Sequence, residues 1–221
     1  SAALADDAGF NPIFDGKTLI GWDGDPSLWR VEHGAIVGQT TPDKPLKTNT
    51  FLIWRQGEAD DFELKFEYRL TGGNSGVQYR SWEDPEKWGK WVVGGNQADI
   101  DSTGRYTGIL YSERARGILA ERGEKVVIGD DHKPKVVEKF GDAQELGKKI
   151  NKDGWNAYRI FAQGKHLVQE INGQLMVDVL DEDHTQGRRI GILALQLHVG
   201  EPMKLEVRNV LLKRLPTRSK H

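Results

Sequence analysis

Phe62-Glu63-Leu64-Lys65-Phe66-Glu67-Tyr68-Arg69-Leu70 alternates apolar and charged side chains without a break. Successive side chains on a strand point to opposite faces, so this run presents five apolar groups to a core and four charges to water. The same period of two recurs at 76–82, 157–162, 166–171, 174–179, 190–198 and 204–212. Asn172-Gly173 separates two of these runs and is a strong hairpin signal. Gly164-Lys165 marks another turn. Helix signals are sparse: Asp142 is placed to cap a turn or two over 142–149, with Glu145 in the capping-box position. Many short strands joined by Gly-rich turns predict an all-β, antiparallel β-sandwich. Trp22, Trp54 and Trp155 are expected in its core. The stretch 114–153 exceeds an ordinary loop, so it is expected to be functional or to carry local structure.

The length of 221 residues fits one sandwich domain at 10–215, with flexible segments at 1–9 and 216–221. A net charge of -2 gives no basic face for nucleic acid. No apolar run approaches a membrane span. The absence of cysteine removes disulfides and thiolate metal sites. Ala3-Leu4-Ala5 has the small-x-small form of a signal-peptidase site, followed by polar residues. That form predicts a secreted or periplasmic bacterial protein whose signal is already gone; an arbitrary starting point for the chain reads equally well.

Gln97-Ala98-Asp99-Ile100-Asp101 carries the chemistry. As a strand it aligns Gln97, Asp99 and Asp101 on one face, opposite Ala98 and Ile100. Two like charges in a row call for water, a cation, a metal or a polar ligand. Other strands repeat the pattern: Gln78, Arg80 and Trp82 share a face, as do Ile109, Tyr111 and Glu113. The 190–198 run begins apolar on one face at Ile190 and Ile192, then turns polar at Gln196 and His198. An ordinary solvated face is the plain alternative. Such faces are usually rich in Lys, Glu and Thr, whereas amides, Arg, Asp, Tyr and His suit oriented recognition. His198 is the best general-base candidate by its ordinary pKa. Asp99 and Asp101 can serve as base, acid or cation ligands, and Arg80 as their ion-pair partner. No zinc spacing occurs, so no cofactor is certain, and a divalent metal ion would rest on Asp99 and Asp101. Asn74, in a Gly-rich turn, can offer its amide to a ligand. Trp82, Trp88 and Trp91 surround an excursion at 83–95 and are suited to stacking on sugar rings.

These residues also carry a family resemblance. Phe14-Asp15-Gly16-Lys17-Thr18-Leu19-Ile20-Gly21-Trp22, Asp61-Phe62-Glu63-Leu64, Gly73-Asn74-Ser75-Gly76-Val77 and Gln97-Ala98-Asp99-Ile100-Asp101 occur in the family's order. So do Tyr106-Thr107-Gly108-Ile109-Leu110-Tyr111, Trp155-Asn156-Ala157-Tyr158-Arg159-Ile160, Leu195-Gln196-Leu197-His198 and Val207-Arg208-Asn209-Val210. Together they resemble the 3-keto-disaccharide hydrolase family, over nearly the whole chain. Many relatives have Glu-Val-Gln-Ile where this chain has Gln97-Ala98-Asp99-Ile100, an amide in place of a carboxylate. The excursions at 83–95 and 114–153 look longer than in a minimal member.

The resemblance implies a concanavalin A-like jelly roll with one concave polar sheet face and long loops. It also implies a small carbohydrate substrate, a glycoside already oxidised to a ketone at C3. Such a ketone acidifies the C2 proton and places the C1 oxygen β to the carbonyl. Cleavage then needs a base, electrophilic help at the ketone oxygen and an acid for the leaving group. His198 or Asp99 is the proposed base, Arg80 or a carboxylate-bound cation the electrophile, and Tyr111 or Glu113 the acid. Gln78, Gln97, Gln196, Asn74 and Trp82 complete the expected binding set. The alternative is a non-catalytic, lectin-like carbohydrate-binding domain, since fold alone does not decide function.

Overall fold

The computed structural model describes residues 8–216. The possible signal-peptidase site at Ala3-Leu4-Ala5 lies outside them, as does most of the two terminal segments expected to be flexible. Seventeen strands and two short helices follow in order. They are β1 (Asn11–Pro12), β2 (Trp22–Asp23), β3 (Trp29–Glu32), β4 (Ala35–Gln39), β5 (Thr50–Trp54), β6 (Phe62–Thr71), β7 (Asn74–Glu83) and α1 (Pro85–Trp88). Then come β8 (Val93–Asp101), β9 (Leu110–Glu113), β10 (Gly117–Ala120), β11 (Glu124–Ile128), β12 (Pro134–Lys139) and α2 (Ala143–Gly147). The chain closes with β13 (Asn156–Gln163), β14 (His166–Ile171), β15 (Gln174–Asp181), β16 (Ile192–Leu197) and β17 (Lys204–Arg214).

Two sheets form a β-sandwich. One has the order β12-β11-β15-β14-β13-β6-β17-β4-β3, with β1 on β17. The other runs β10-β9-β8-β7-β16-β5-β2. Among the described residues, β11 with β15 is the one parallel pairing.

The period of two in β6 explains the sandwich. Phe62, Leu64, Phe66, Tyr68 and Leu70 all turn inward. They meet Val77 and Tyr79 of β7, Ala98 and Ile100 of β8, and Leu193, Leu195 and Leu197 of β16. Phe66 stacks on Tyr158 with ring centroids 5.2 Å apart. Each such side chain contributes roughly 1.5–3 kcal/mol on full burial. The intervening charges pair across the outer face, Arg159 with Glu63 at 2.6 Å and Arg69 with Glu206 at 2.7 Å. The Asn172-Gly173 hairpin takes positive φ at both residues, 52° and 75°, as a tight right-twisted turn requires.

Trp22 and Trp54 are buried as expected, but Trp155 is not. Its half-buried ring packs against the guanidinium groups of Arg69 and Arg208, 5.0 and 3.9 Å from its centroid. Tryptophan's flat π face accepts cations as readily as carbon, so burial and stacking look alike in a sequence. Asp142 does cap α2, accepting from the backbone N–H of Gln144 and Glu145. The Glu145 side chain reaches forward to Lys148 instead of back to the cap.

The stretch 114–153 supplies β10, β11, β12 and α2, so much of it is sheet. It is anchored by Arg116, which donates to both Asp181 oxygens at 2.9 and 2.8 Å and to Asp183 at 3.3 Å. All three side chains are almost wholly buried. Removing the cation would leave two buried carboxylates short of a partner. Arg116→Met should therefore lower the unfolding free energy in urea by roughly 3–5 kcal/mol. A loss below about 1 kcal/mol would show that this anchor is dispensable.

Candidate active site

The outer face of the seven-stranded sheet is apolar at one end and polar at the other. Phe51, Ile53, Val93 and Ala194 form a small buried cluster there, with Trp91 and Ile192 packed against it. Beyond it, strand pairing aligns Gln78 with Gln97 and Gln97 with Tyr111, while Glu113 faces Gly95. Alternation then adds Asp99 beyond Gln97, and Gln196 approaches from β16. Ala98, Ile100 and Leu110 take the opposite face and join the core.

A directed chain of hydrogen bonds organises this floor. Ser81 Oγ donates to Gln78 Oε1 at 2.6 Å, and Gln78 Nε2 donates to Gln97 Oε1 at 2.7 Å. Gln97 Nε2 then donates to Asp99 Oδ1 at 2.5 Å and to Gln196 Oε1 at 3.3 Å. Gln196 Nε2 in turn donates towards Glu113 Oε2 at 3.4 Å. An amide whose oxygen is already occupied can only offer its NH2 onward. The chain therefore ends on two carboxylates, Asp99 reached from Gln97 and Glu113 from Gln196. Gly76 permits this arrangement: a Cβ there would lie 2.5 Å from Gln97 Cγ.

Asp99 is 6% exposed. Burial pushes its pKa up to about 7, with the nearby Glu113 and Asp101 charges adding to the rise. Hydrogen bonds from Gln97 and Asn74 act the other way. Burial likewise raises the pKa of Glu113, opposed by the charges of Arg114 and His198 and by hydrogen bonds from Asn49 and Gln196. Tyr111 is raised by burial and by the Glu113 and Asp99 carboxylates, so its hydroxyl stays protonated. His198 Nδ1 lies 2.6 Å from the Val199 carbonyl oxygen, which can only accept. That contact puts the ring hydrogen on Nδ1 and leaves Nε2 of the neutral ring with its lone pair.

Asn74, Gln97, Asp99, Tyr111, Glu113 and His198 line one cavity of about 290 Å³. Asn49, Tyr106, Ile109 and Ile118 complete it. Tyr106 and Ile118 are each 40% exposed and present apolar surface at its rim. Asn49 joins two elements of the site: its oxygen accepts from Val199 N–H at 2.9 Å, and its side chain also bonds Glu113. Asn49 stands next to β5, outside any alternating polar run, so no strand pattern singles it out. Tyr106 precedes β9 in a turn, and only its neighbours in sequence hinted at a role.

Several expected members lie elsewhere. Gln78 sits beneath the floor, fully buried, and supports Gln97. Asp101 turns away at the end of β8 and holds the following turn, accepting from Arg105 N–H at 3.0 Å and Tyr106 N–H at 3.2 Å. Asp99 and Asp101 thus face different cavities and do not form a paired cation site. Among the described residues, no group of three or more His, Asp or Glu side chains converges as a metal site. Arg80 is not on the polar face. A register shift between Tyr79 and Trp82 and a positive φ of 49° at Arg80 break the alternation. Its guanidinium is 0% exposed and donates to the Asp60 and Gly164 carbonyl oxygens and to Asp61. Trp82 lies against Trp88 and beneath Arg188. Trp82, Trp88 and Trp91 do not line the cavity, and Trp91 donates to Asp23 instead.

Two antiparallel sheets packed face to face, with a polar pocket on one outer face, make this a β-sandwich of the jelly-roll kind. The chain belongs to the family of the 3-keto-alpha-glucoside-1,2-lyase-like domain, whose model matches residues 9–213. Membership places it among carbohydrate-active proteins. No curated protein matches it significantly. Its fold is similar to that of a candidate glycosyl hydrolase from Parabacteroides distasonis ATCC 8503, at 19% identity over 94% of both chains with a TM-score of 0.60. It is also similar to the carbohydrate-binding module CBM66 from Bacillus subtilis, at 13% identity, covering 87% of this chain and 95% of that one, with a TM-score of 0.55. A Bacillus subtilis protein with a galectin-like fold aligns at 10% identity over 89% and 90% of the two chains, with a TM-score of 0.55.

The site's electrostatics make a directional prediction. Glu113→Gln removes a negative neighbour and should lower the Asp99 pKa, whereas Gln97→Met removes a donor and should raise it. Carbon-detected NMR titration of the Asp99 carboxyl would read both shifts. Movement of both in the same direction would contradict this account of the floor.

Proposed function

We propose that the protein cleaves 3-keto-glycosides by removing the C2 proton and eliminating the C1 substituent. The observation that carries this reading is Asp99: a buried carboxylate on a cavity floor whose pKa of about 7 suits proton abstraction near neutral pH. Asp99 takes the C2 proton as the C2–H electrons form an enediolate with the C3 carbonyl. Tyr111, a neutral donor on the neighbouring strand, hydrogen-bonds to the enediolate oxygen as charge develops there. The C3 carbonyl re-forms, a C1–C2 double bond appears and the C1–O bond breaks. Glu113, whose hold on a proton is strengthened by burial, delivers a proton to the departing oxygen. Where hydration follows, His198 Nε2 accepts a proton from the water that adds to C1, and protonated Asp99 returns its proton to C2. Asn74 and Asn49 offer amides to sugar hydroxyls, and Tyr106 and Ile118 cover a ring face. Arg80 has no part, because its donors are engaged beneath the sheet. The family's description supports an α-linked 3-keto-glucoside as substrate.

An aryl 3-keto-α-glucoside provides the direct test, by release of its chromogenic leaving group, with and without EDTA. Asp99→Asn should lower kcat/KM by about 10²–10⁴-fold, the span attributed to a general base. Tyr111→Phe should cost about 10²–10³-fold, as for a lost oxyanion donor. No release, together with tight binding of unoxidised glycan, would favour the lectin-like reading instead. Activity lost in EDTA and restored by a divalent ion would bring a metal into the mechanism.

The pH dependence has a defined sign. Activity should rise as Asp99 loses its proton around pH 7 and fall again as the acid is deprotonated. Stability runs the other way. The folded pKa of Asp99 lies above its unfolded value near 3.8, so the folded state holds the proton more tightly. Stability should therefore decline between about pH 4 and pH 7 from this group. Asp99→Asn should raise Tm relative to wild type at pH 8 and much less at pH 4; an equal gain at both would refute the assignment.

A further inference from the structure

We propose that a second cleft, between α2 and the far end of β8, binds a small hydroxylated carboxylate of the sugar-acid class. This cleft is about 290 Å³ and reaches towards the sandwich interior. It lies on the side of β8 to which Ile100 points, whereas Asp99 points into the active-site cavity.

The argument begins with Arg122, which is only 7% exposed. Its Nη1 donates to the carbonyl oxygens of Gly104, Arg105 and Thr107 at 2.8, 3.1 and 2.7 Å. Its Nε donates to the Ala143 carbonyl oxygen at 3.0 Å. All four acceptors are neutral. The two nearby carboxylates are engaged elsewhere: Glu121 pairs with Arg105, and Asp101 holds its own turn. Among the described residues Arg122 therefore forms no ion pair. The Glu121 and Asp101 charges favour this cation without bonding to it, desolvation still outweighs them, and an anion entering from outside would offset that cost.

Nη2 remains as the open donor. Gly147 faces it, and a Cβ at that position would stand 3.2 Å from Nη2. Absence of a side chain keeps the approach clear. The second donor is Tyr68, which lines the same cleft and is 3% exposed. Its hydroxyl is buried without any hydrogen-bond partner. Two donors around one cavity, one of them charged, match a carboxylate. Leu70, Ile100 and Ile150 offer apolar surface to a carbon skeleton, while Ser102, Thr103 and Asn151 offer partners for hydroxyls. Asp101 also lines the cleft, so it can accept from a hydroxyl, and its charge repels a phosphate dianion more strongly than a singly charged carboxylate.

Sodium D-gluconate is the probe, titrated calorimetrically into the full chain against sodium phosphate and sodium chloride at equal ionic strength. Saturable binding of gluconate alone is expected. Tyr68→Phe should keep the fold, since it removes an unpartnered hydroxyl, and should weaken gluconate binding at least about fivefold. Gly147→Leu, a helix-compatible change that fills the approach to Nη2, should abolish it. Asp99→Asn should bind gluconate as wild type does, which separates this site from the active-site cavity. The proposal is overturned if chloride or phosphate reproduces the heat, if Gly147→Leu still binds, or if binding is lost in Asp99→Asn.

Discussion

The polar floor depends on holding one carboxylate out of water beside a second. Asp99 and Glu113 stand on adjacent strands of the same sheet face, and among the described residues neither forms a salt bridge with an arginine or lysine. The sheet compensates with amides. Gln78, Gln97 and Gln196 share a single polarity set from Ser81, so amide dipoles rather than a full positive charge face Asp99. A cation in contact would hold Asp99 ionised and poorly basic. Dipoles stabilise it less, leaving desolvation as the larger effect and the pKa near 7. The chemistry proposed for this site follows from that balance.

The same face shows why a buried group must be assigned by partners and not by proximity in sequence. Arg80 is two residues from Gln78, yet a single bulge sends it between the sheets to Asp61 and the Gly164 turn. There it ties β7 to the loops of the opposite sheet. Asp101 is two residues from Asp99, yet it serves the turn that carries Tyr106 to the cavity rim. Each has a structural task set by where its strand stops or slips. The long excursion at 114–153 follows the same logic: its strands extend both sheets, and Arg122 within it packs against the back of that turn.

Much of the fold was legible because burial enforces a period. Phe62 to Leu70 could not be solvated on both faces, and each later alternating run carried the same constraint, so strand positions and hairpins followed from the order of residues alone. Gln97, Asp99, Tyr111, Glu113 and Gln196 were legible for the same reason, as polar residues at the outward positions of strands, and His198 follows the end of β16 in the same alternation. Arg80, Trp82 and Asp101 were misplaced because alternation fails at bulges and strand ends, and those depend on backbone hydrogen bonding to neighbours distant in the chain. Trp155 was misread because two stacked guanidinium groups cover an aromatic ring much as a core does.

By itself, then, the sequence determined a two-faced antiparallel sandwich, the polar row on β8 and the residue types available for proton transfer. Those are properties of side-chain order along extended chain. Only the tertiary structure decided that Asn49 and Tyr106 join the site, that Arg80 leaves it, and that Asp99 is dry enough to titrate near neutrality. Desolvation is set by every atom that approaches from other strands, and no single strand encodes it.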